Sequence, residues 1–344
     1  MEDLSRYHRQ TLLPSIGPDG QRRLNESAAL LVGCGALGTL IAELLVRAGV
    51  GRVRIVDRDV VELTNLQRQV LFDESDAAAG IPKAAAAARR LKATNSQVTI
   101  EPIVADFTAG NSLSLAAGMQ VIIDGTDNLE TRWLMNDLAV HQRLPYVYGG
   151  AVGVHGLMFV VLPEAPCLRC VFDAAASGGG PTCDTAGVLG PMASIIAAIQ
   201  AGETIKILSG NLAAVNRKMV SIDLWANTFR QVDVAGAYEP GQCSCCGQRR
   251  FEFLEGRKGS MSVALCGRNA VQVQPRSDGF QIEPVALRLA SHGQVQRNEY
   301  LLKAQISERG RSFQFTLFPD GRAIIHGTAD TTEARTLYAR YIGA

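Results

Sequence analysis

The chain has few aromatic residues, almost no net charge and no uninterrupted apolar run long enough to span a membrane. Aromatics make up 6% of its 344 residues, so the core must be built mainly from Leu, Val, Ile and Ala. The 34 basic and 33 acidic side chains leave a net charge of +1, which gives no reason to expect a nucleic acid or an anionic membrane as the main partner. The apolar stretch 28–50 is interrupted by Glu43 and Arg47, so it is more typical of a strand-to-helix turn than of a membrane span.

The N-terminus also lacks the pattern of a signal peptide. Its first residues are charged where the apolar segment of such a peptide would lie. We therefore expect a cytoplasmic protein. In that compartment the eight cysteines indicate metal binding or thiol chemistry before disulfides.

Short apolar runs alternate with helical segments from residue 28 onward. This alternation predicts an α/β fold with a Rossmann-like, mostly parallel sheet and helices on both faces. Later strands that can pair antiparallel predict an extension of that sheet. The predicted buried strands are 28–32, 52–56, 98–104 and 121–124, the helices 36–47, 83–92 and 189–208, and the antiparallel strands 154–162 and 219–234.

The character of the sequence changes after residue 250, and we place a domain boundary there. Residues 1–250 would form the nucleotide-binding part, and residues 251–344 a small α+β domain. The second part lacks the cysteine and arginine-rich anion loop of a rhodanese domain, so its role stays unknown. Its predicted strands are 262–274, 300–306 and 312–326, and its predicted helices are 283–291 and 331–341.

A glycine-rich turn lies between the first predicted strand and the first helix. Gly33, Gly35 and Gly38 would let the backbone turn sharply and approach a phosphate at the helix N-terminus. Asp57 ends the next strand, where an acid can accept hydrogen bonds from ribose hydroxyls. The pattern predicts a nucleotide site and suits NAD as well as ATP. A turn that serves only packing is the alternative.

Five charged or amide residues downstream favour ATP over NAD. A triphosphate carries several negative charges that need compensation, whereas a hydride-transfer site has little use for several cations. Arg68 can grip phosphate oxygens with its planar guanidinium, and Lys83 supplies a point charge. Asp127 follows the end of a strand and could hold Mg²⁺. Taken singly, each could instead be a solvated salt bridge. The five residues are Asp59, Asn65, Arg68, Lys83 and Asp127.

These residues, together with the segment Arg6-Tyr7-His8-Arg9-Gln10, resemble the MoeB/ThiF/HesA family, the bacterial relatives of ubiquitin-activating enzymes. The resemblance covers about residues 4–250. It implies an adenylyltransferase that uses ATP to activate the C-terminal carboxylate of a ubiquitin-like sulfur-carrier protein. The product would be an acyl-adenylate, with release of pyrophosphate, and the carrier would end in Gly-Gly.

The same resemblance implies roles for individual residues. Asp57 would hold the ribose, and Asn65 would help to position the nucleotide. Arg68 and Lys83 would bind the phosphates. Asp127 would organise Mg²⁺ and the reacting α-phosphate. Arg9 would act as an arginine finger in the partner subunit's site, which implies a homodimer.

Two pairs of cysteines have the spacing of zinc knuckles. Cys167 and Cys170, with Cys243 and Cys246, can supply four thiolates in a tetrahedron, which suits structural Zn²⁺. The resemblance supports zinc at these two knuckles. Cys245 is left over by this pairing, and an accidental cluster of reduced thiols is the alternative.

Cys183 lies in the glycine-rich segment 178–188, which resembles the crossover loop of the family. In some members the cysteine of that loop takes the activated carrier as a thioester or acyl persulfide. In others it is dispensable. Both roles stay open for Cys183.

Two other functions fit part of the pattern. An NAD-dependent oxidoreductase would use the glycine turn and Asp57 but would leave Arg68, Lys83 and the cysteine pairs without a task. A nucleotide-bound scaffold protein would have no need of the cations or of Asp127.

Overall fold

The computed structural model describes residues 4–172, 186–238, 241–258, 262–265, 269–273, 280–308 and 310–343. The chain divides into two compact units, Met1–Lys258 and Gly259–Ala344. An eight-stranded sheet forms the centre of the first unit, and a six-stranded sheet forms the centre of the second.

Five parallel strands form the first part of the large sheet, in the order β3-β2-β1-β4-β5. Every residue of β1 and β4 is buried, because helices cover both faces of the sheet. The predicted mostly parallel sheet is therefore confirmed. The strands are β1 Ala28–Val32, β2 Arg52–Val56, β3 Thr99–Ile103, β4 Val121–Asp124 and β5 Tyr146–Val152.

The prediction that residues 98–104 form a buried strand is wrong in one respect. The strand exists as β3, but Thr99 and Pro102 are exposed. The reason is its position, since β3 is the edge strand of the sheet.

Three antiparallel strands, in the order β6-β7-β8, continue the sheet beyond β5. The single predicted strand 219–234 is a hairpin. Asn227 has a φ of 53°, and the Asp223 carboxylate accepts the N–H groups of Trp225 and Ala226, which closes the turn. The strands are β6 His155–Val161, β7 Met219–Asp223 and β8 Thr228–Val232.

Helices cover the two faces of the large sheet. Successive residues of β1 alternate between two apolar clusters, so Leu31 packs with Ile41 of α3 while Leu30 packs with Trp133 of α7. No helix in the described part of the chain is long and apolar enough to cross a membrane. The helices are α1 His8–Thr11, α2 Gly17–Asn25, α3 Gly38–Ala48, α4 Glu74–Ala79, α5 Lys83–Thr94, α6 Ala109–Ala116, α7 Leu129–Gln142, α8 Leu168–Val171 and α9 Gly190–Leu208.

The second unit is an antiparallel sheet with two helices, which confirms the predicted α+β class. Its strand order is β11-β12-β13-β14-β10-β9. The predicted strands 262–274 and 312–326 are each two strands, and β11 was not predicted. Gly321, with a φ of 83°, permits the turn between β13 and β14. The elements are β9 Ser262–Leu265, β10 Ala270–Val273, α10 Ile282–Ala290, β11 Gly293–Arg297, β12 Leu302–Glu308, β13 Arg311–Leu317, β14 Ala323–His326 and α11 Thr331–Tyr341.

Candidate active site and metal centre

The glycine turn packs its backbone directly against the end of β4. A Cβ atom at Gly33 would lie 2.6 Å from the Gly125 carbonyl group, and one at Gly38 would lie 2.0 Å from the Gly33 carbonyl oxygen. Gly33 also has a φ of +89°, which side chains disfavour. Gly35 differs, because its nearest neighbours would be 3.8 Å from a Cβ atom. Gly33 and Gly38 thus serve packing, whereas no close contact within the described part of the chain requires a glycine at position 35.

Asp57 is anchored at the end of β2 by two backbone donors. The Cys34 N–H donates to its Oδ2 over 2.6 Å, and the Asp59 N–H donates to its Oδ1 over 2.7 Å. Burial raises the pKa of Asp57, and the charge of Lys83 opposes that rise. The structure therefore fixes this carboxylate beside the glycine turn.

Lys83 lies at the same edge, at the start of α5. Its side chain is only 4% exposed, and its Nζ lies 3.0 Å from Oδ2 of Asp59. A buried ammonium needs anionic partners, and Asp57 and Asp59 supply them here. Three of the predicted site residues are thus brought together by the structure.

A further cation, Arg58, was missed at this edge. Its Nη1 lies 3.1 and 3.2 Å from the two carboxylate oxygens of Asp106, just beyond β3. Asp106, Asp59 and Asp127 together raise the pKa of Arg58, although burial opposes them. Both residues follow the carboxyl end of a strand, as Asp127 does, and this position is the signal in the sequence that could have identified them.

Asp127 follows β4 in a loop that is held by buried side chains. The Asp124 carboxylate, fully buried at the end of β4, accepts the Thr126 N–H over 2.8 Å. Asn128 begins α7, and its Oδ1 accepts the backbone N–H of Glu130 over 2.8 Å. The exposed Asp127 therefore lies between two fixed points.

The side chain of Arg132 also contacts this loop. Its Nε donates to Asp124 over 3.0 Å, and its Nη2 donates to the Thr126 carbonyl over 2.7 Å. Burial raises the pKa of Asp124, and the charge of Arg132 lowers it. Arg132 was not predicted as a site residue, because nothing in the local sequence pattern distinguishes it from a helical surface residue.

The segment 65–69 forms a turn close to the glycine loop. Asn65 is 1% exposed, and its Oδ1 accepts the Glu62 N–H over 3.0 Å, so it shapes this turn. Gln69 is buried, and its Nε2 would lie 3.9 Å from a Cβ atom at Gly35. Arg68 is half-buried and donates to the Thr64 carbonyl over 2.8 Å, within its own turn.

Arg9 lies away from the glycine turn of its own chain. It is exposed in α1, and the neighbouring Gln10 donates to the Ala48 carbonyl at the C-terminal end of α3. The glycine turn lies at the opposite end of that helix. Cys183 lies outside the described residues, and its role stays a prediction.

Four cysteines form a compact cluster on α8 and the segment after β8. Their sulfur atoms, those of Cys167, Cys170, Cys243 and Cys246, all lie within 4.8 Å of one another. Three of the sulfur pairs are 3.8, 3.7 and 3.4 Å apart. Four thiolates about 2.3 Å from a tetrahedral zinc would be separated by roughly 3.8 Å, so the cluster fits the metal.

Cys245 is turned toward α7 instead. It is fully buried, and its sulfur lies 3.3 Å from the Nδ2 of Asn136, which donates to it. Asn136 also accepts the Leu168 N–H over 2.8 Å, which ties α7 to the first knuckle. The structure therefore leaves Cys245 outside the group of four candidate ligands, although its thiol also interacts with that of Cys167.

Comparison with known proteins decides the family. A sequence model of the ThiF family matches residues 7–245 of this chain. The chain belongs to the ThiF family. The match spans the glycine turn, Asp57, Lys83, Asp127 and three of the four cysteines of the cluster, whose last member, Cys246, follows directly.

Two ThiF-family relatives show how far the similarity extends. The sulfur carrier protein ThiS adenylyltransferase of Bacillus subtilis is 43% identical over 341 residues, which cover 98% of this chain and 99% of that protein. The sulfur carrier protein adenylyltransferase of Thermus thermophilus is 37% identical over 253 residues, or 72% of this chain and 92% of that protein.

Solved structures support the fold. The crystal structure of Escherichia coli MccB matches with a TM-score of 0.62 at 22% identity, covering 73% of each chain. At that identity the likeness concerns the fold of the ThiF-family chain alone.

The cysteine cluster yields a prediction about metal content. The purified protein should contain one zinc per chain, because the four sulfur atoms already have tetrahedral spacing. Cys246→Ser should lose the zinc and unfold at lower temperature, whereas Cys245→Ser should keep it. Metal analysis and thermal unfolding of the three proteins give the answer. A metal-free wild type, or loss of zinc in Cys245→Ser alone, would contradict the assignment.

Proposed function

We propose that this ThiF-family chain uses ATP to adenylate the C-terminal carboxylate of a ubiquitin-like sulfur-carrier protein. The observation that carries the proposal is the buried Lys83 at the strand edge that also holds Asp57 and the glycine turn. A cation at that point can offset the charge of a nucleotide triphosphate. The names of the B. subtilis and T. thermophilus relatives support the same reaction.

The reaction joins two anions that repel each other, and the cations at this edge would reduce that repulsion. A carboxylate oxygen of the carrier attacks the α-phosphorus of ATP, a new O–P bond forms, and the bond to the bridging oxygen of pyrophosphate breaks. Lys83 and Arg68 would offset charge on the phosphates. No general base is needed, because a carboxylate is already ionised at neutral pH.

The nucleotide would lie on the open side of the glycine turn. Gly35, where no close protein contact requires a glycine, is the point at which a phosphate can approach the backbone N–H groups near the start of α3. Asp57 would accept hydrogen bonds from the ribose. Asp59 would act through Lys83, with which it forms an ion pair. Asn65 would act through the turn that carries Arg68, because its side chain shapes that turn.

Asp127 is the residue we assign to Mg²⁺. It is exposed at the end of β4, and carboxylate oxygens are the ligands that Mg²⁺ prefers. When bound, the ion would neutralise phosphate charge. Asp127 would face the α-phosphate, with its backbone fixed by Thr126 and Asn128.

The alternatives find no support in the names of the B. subtilis and T. thermophilus relatives, which describe adenylyltransferases. An NAD-dependent oxidoreductase would gain nothing from a buried Lys83. A nucleotide-bound scaffold would not need the exposed Asp127 beside two arginines. Reduced cysteines are typical of the cytoplasm, which is the compartment we propose for this protein. The zinc measurement also tests whether the cysteines are reduced, because oxidised thiols cannot bind the metal.

The first test of the proposed reaction is pyrophosphate exchange that depends on the carrier. The wild-type chain, mixed with a small carrier protein that ends in Gly-Gly, should exchange labelled pyrophosphate into ATP. Asp127→Ala should lower that exchange by ~100-fold or more, because its carboxylate contacts the reacting phosphate. Its thermal unfolding should match the wild type, since the side chain is exposed.

A carrier truncated by its two terminal glycines is the matched control and should support no exchange with either protein. Full exchange by Asp127→Ala would remove that residue from the mechanism. Exchange with the truncated carrier would refute the proposed substrate.

We infer a homodimer in which Arg9 serves the partner's site, and the position of α1 supports this inference. Gln10 contacts the C-terminal end of α3, and the glycine turn lies at its N-terminal end. A helix of 11 residues spans about 16.5 Å at 1.5 Å per residue. An arginine side chain does not bridge that distance, so Arg9 would contact a phosphate in another copy of the chain.

Mixed dimers test this arrangement. Arg9→Ala and Asp127→Ala should each be inactive as pure proteins. After the two are unfolded and refolded together, or co-expressed, exchange should return to about a quarter of the wild-type rate, because half of the dimers are mixed and each has one complete site.

Arg6→Ala is the control, since Arg6 contacts the Thr94 carbonyl at the protein surface and should stay active. If the mixture stays as inactive as its components, Arg9 does not act across a dimer.

A further inference from the structure

We propose that Arg132 is a positioning residue for adenylation, which holds the peptide before Asp127 so that the Asp127 carboxylate faces the α-phosphate. This inference rests on the proposed function, because it concerns the same site. It assigns Arg132 no contact with ATP.

The two peptide groups that flank Thr126, the second of which leads into Asp127, are each held by a hydrogen bond. The Thr126 N–H donates to Asp124 over 2.8 Å, and the Thr126 carbonyl accepts from Nη2 of Arg132 over 2.7 Å. Arg132 and Asp124 also bond to each other over 3.0 Å. The residue that precedes Asp127 therefore cannot rotate without breaking a buried, charge-assisted contact.

Other strands and helices fix the guanidinium itself. Nη2 of Arg132 also donates to the Gly149 carbonyl of β5 over 3.0 Å, and its guanidinium carbon lies 5.2 Å from the centre of the Tyr148 ring. Gln200 of α9 donates to the carbonyl oxygens of Asp124 over 2.8 Å and Val147 over 3.1 Å. The Arg132 side chain is only 12% exposed. It is a rigid link between α7, β4 and β5.

These contacts affect the position of the Asp127 carboxylate rather than the binding of the nucleotide. The Nε and Nη2 donors of Arg132 are already used by Asp124, Thr126 and Gly149. Asp127 is near enough to contribute to the raised pKa of Arg132, for which Asp124 is the main cause, against the effect of burial. A shift of about 1 Å in a reacting group can lower a rate by ~100-fold, while binding contacts elsewhere are kept.

Arg132→Lys is the informative change. It leaves a positive charge beside the buried Asp124, so the fold is kept. An ammonium, however, is a compact point charge and cannot reproduce the planar set of contacts to Asp124, Thr126 and Gly149.

Arg54→Lys is the matched control. Arg54 is also largely buried, at 16% exposure, and its Nε donates to Glu101 over 2.7 Å while its Nη1 donates to the Leu115 carbonyl over 2.7 Å. It joins β2, β3 and the end of α6 without contacting the Asp127 loop. In both variants lysine thus keeps the positive charge beside the carboxylate and loses the planar set of contacts to a carboxylate and a carbonyl oxygen.

The experiment measures kcat and KM for ATP in pyrophosphate exchange, with the carrier, and the thermal midpoint of each variant. Arg132→Lys should lower kcat by ~10- to 100-fold and leave KM for ATP close to the wild-type value. Arg54→Lys should lose a similar amount of thermal stability and keep the wild-type kcat.

Equal kcat values for the two variants would overturn the inference and leave Arg132 a structural residue. A raised KM for ATP with unchanged kcat would also overturn it, because Arg132 would then contact the nucleotide. A wild-type chain that is inactive in the same assay would contradict the proposed function, and this inference with it.

Discussion

Backbone packing among three glycines is the constraint on which the site depends. Gly33, Gly38 and Gly125 lie so close that a Cβ atom on any of them would come within 2.6 Å of another backbone atom. This contact holds the end of β1, the start of α3 and the end of β4 together. Asp57 is bonded to the same turn through the Cys34 N–H, and Asp127 follows two residues after Gly125. A side chain at any of the three glycines would push apart the backbone segments that carry the Asp57 and Asp127 carboxylates.

Buried charge is the second constraint at this edge. Asp124 and Lys83 are almost fully removed from water, and each has an oppositely charged partner. Breaking such a pair by removing one member typically costs on the order of 3–5 kcal/mol. The partners are thus needed for folding, and they also fix where charge is presented to a ligand. The same side chains serve stability and the site.

The sequence was informative where the signal is local. The glycine turn, the parallel strands and the four cysteines follow from spacing and apolar periodicity within short windows. The strands predicted as 219–234 and 312–326 are hairpins, because Asn227 and Gly321 provide turns inside long apolar runs. Such turns interrupt the run only weakly in the sequence.

Contacts between residues that lie far apart in the sequence cannot be predicted from local sequence patterns. Arg58 pairs with Asp106, and Arg132 reaches Gly149 through strands that meet only after folding. Cys245 and Cys246 are neighbours, and only the contact of Cys245 with Asn136 separates the packed thiol from the candidate ligand. The match to the B. subtilis relative covers 98% of this chain and so includes the second unit. The match to the T. thermophilus relative covers 253 residues, or 72% of this chain.

Thermal unfolding with nucleotides tests most directly whether this edge offsets the charge of a triphosphate. ATP with Mg²⁺ should raise the unfolding midpoint of the wild-type protein, and NAD should not. Lys83→Met should remove most of the shift caused by ATP. Stabilisation by NAD and none by ATP would contradict the account.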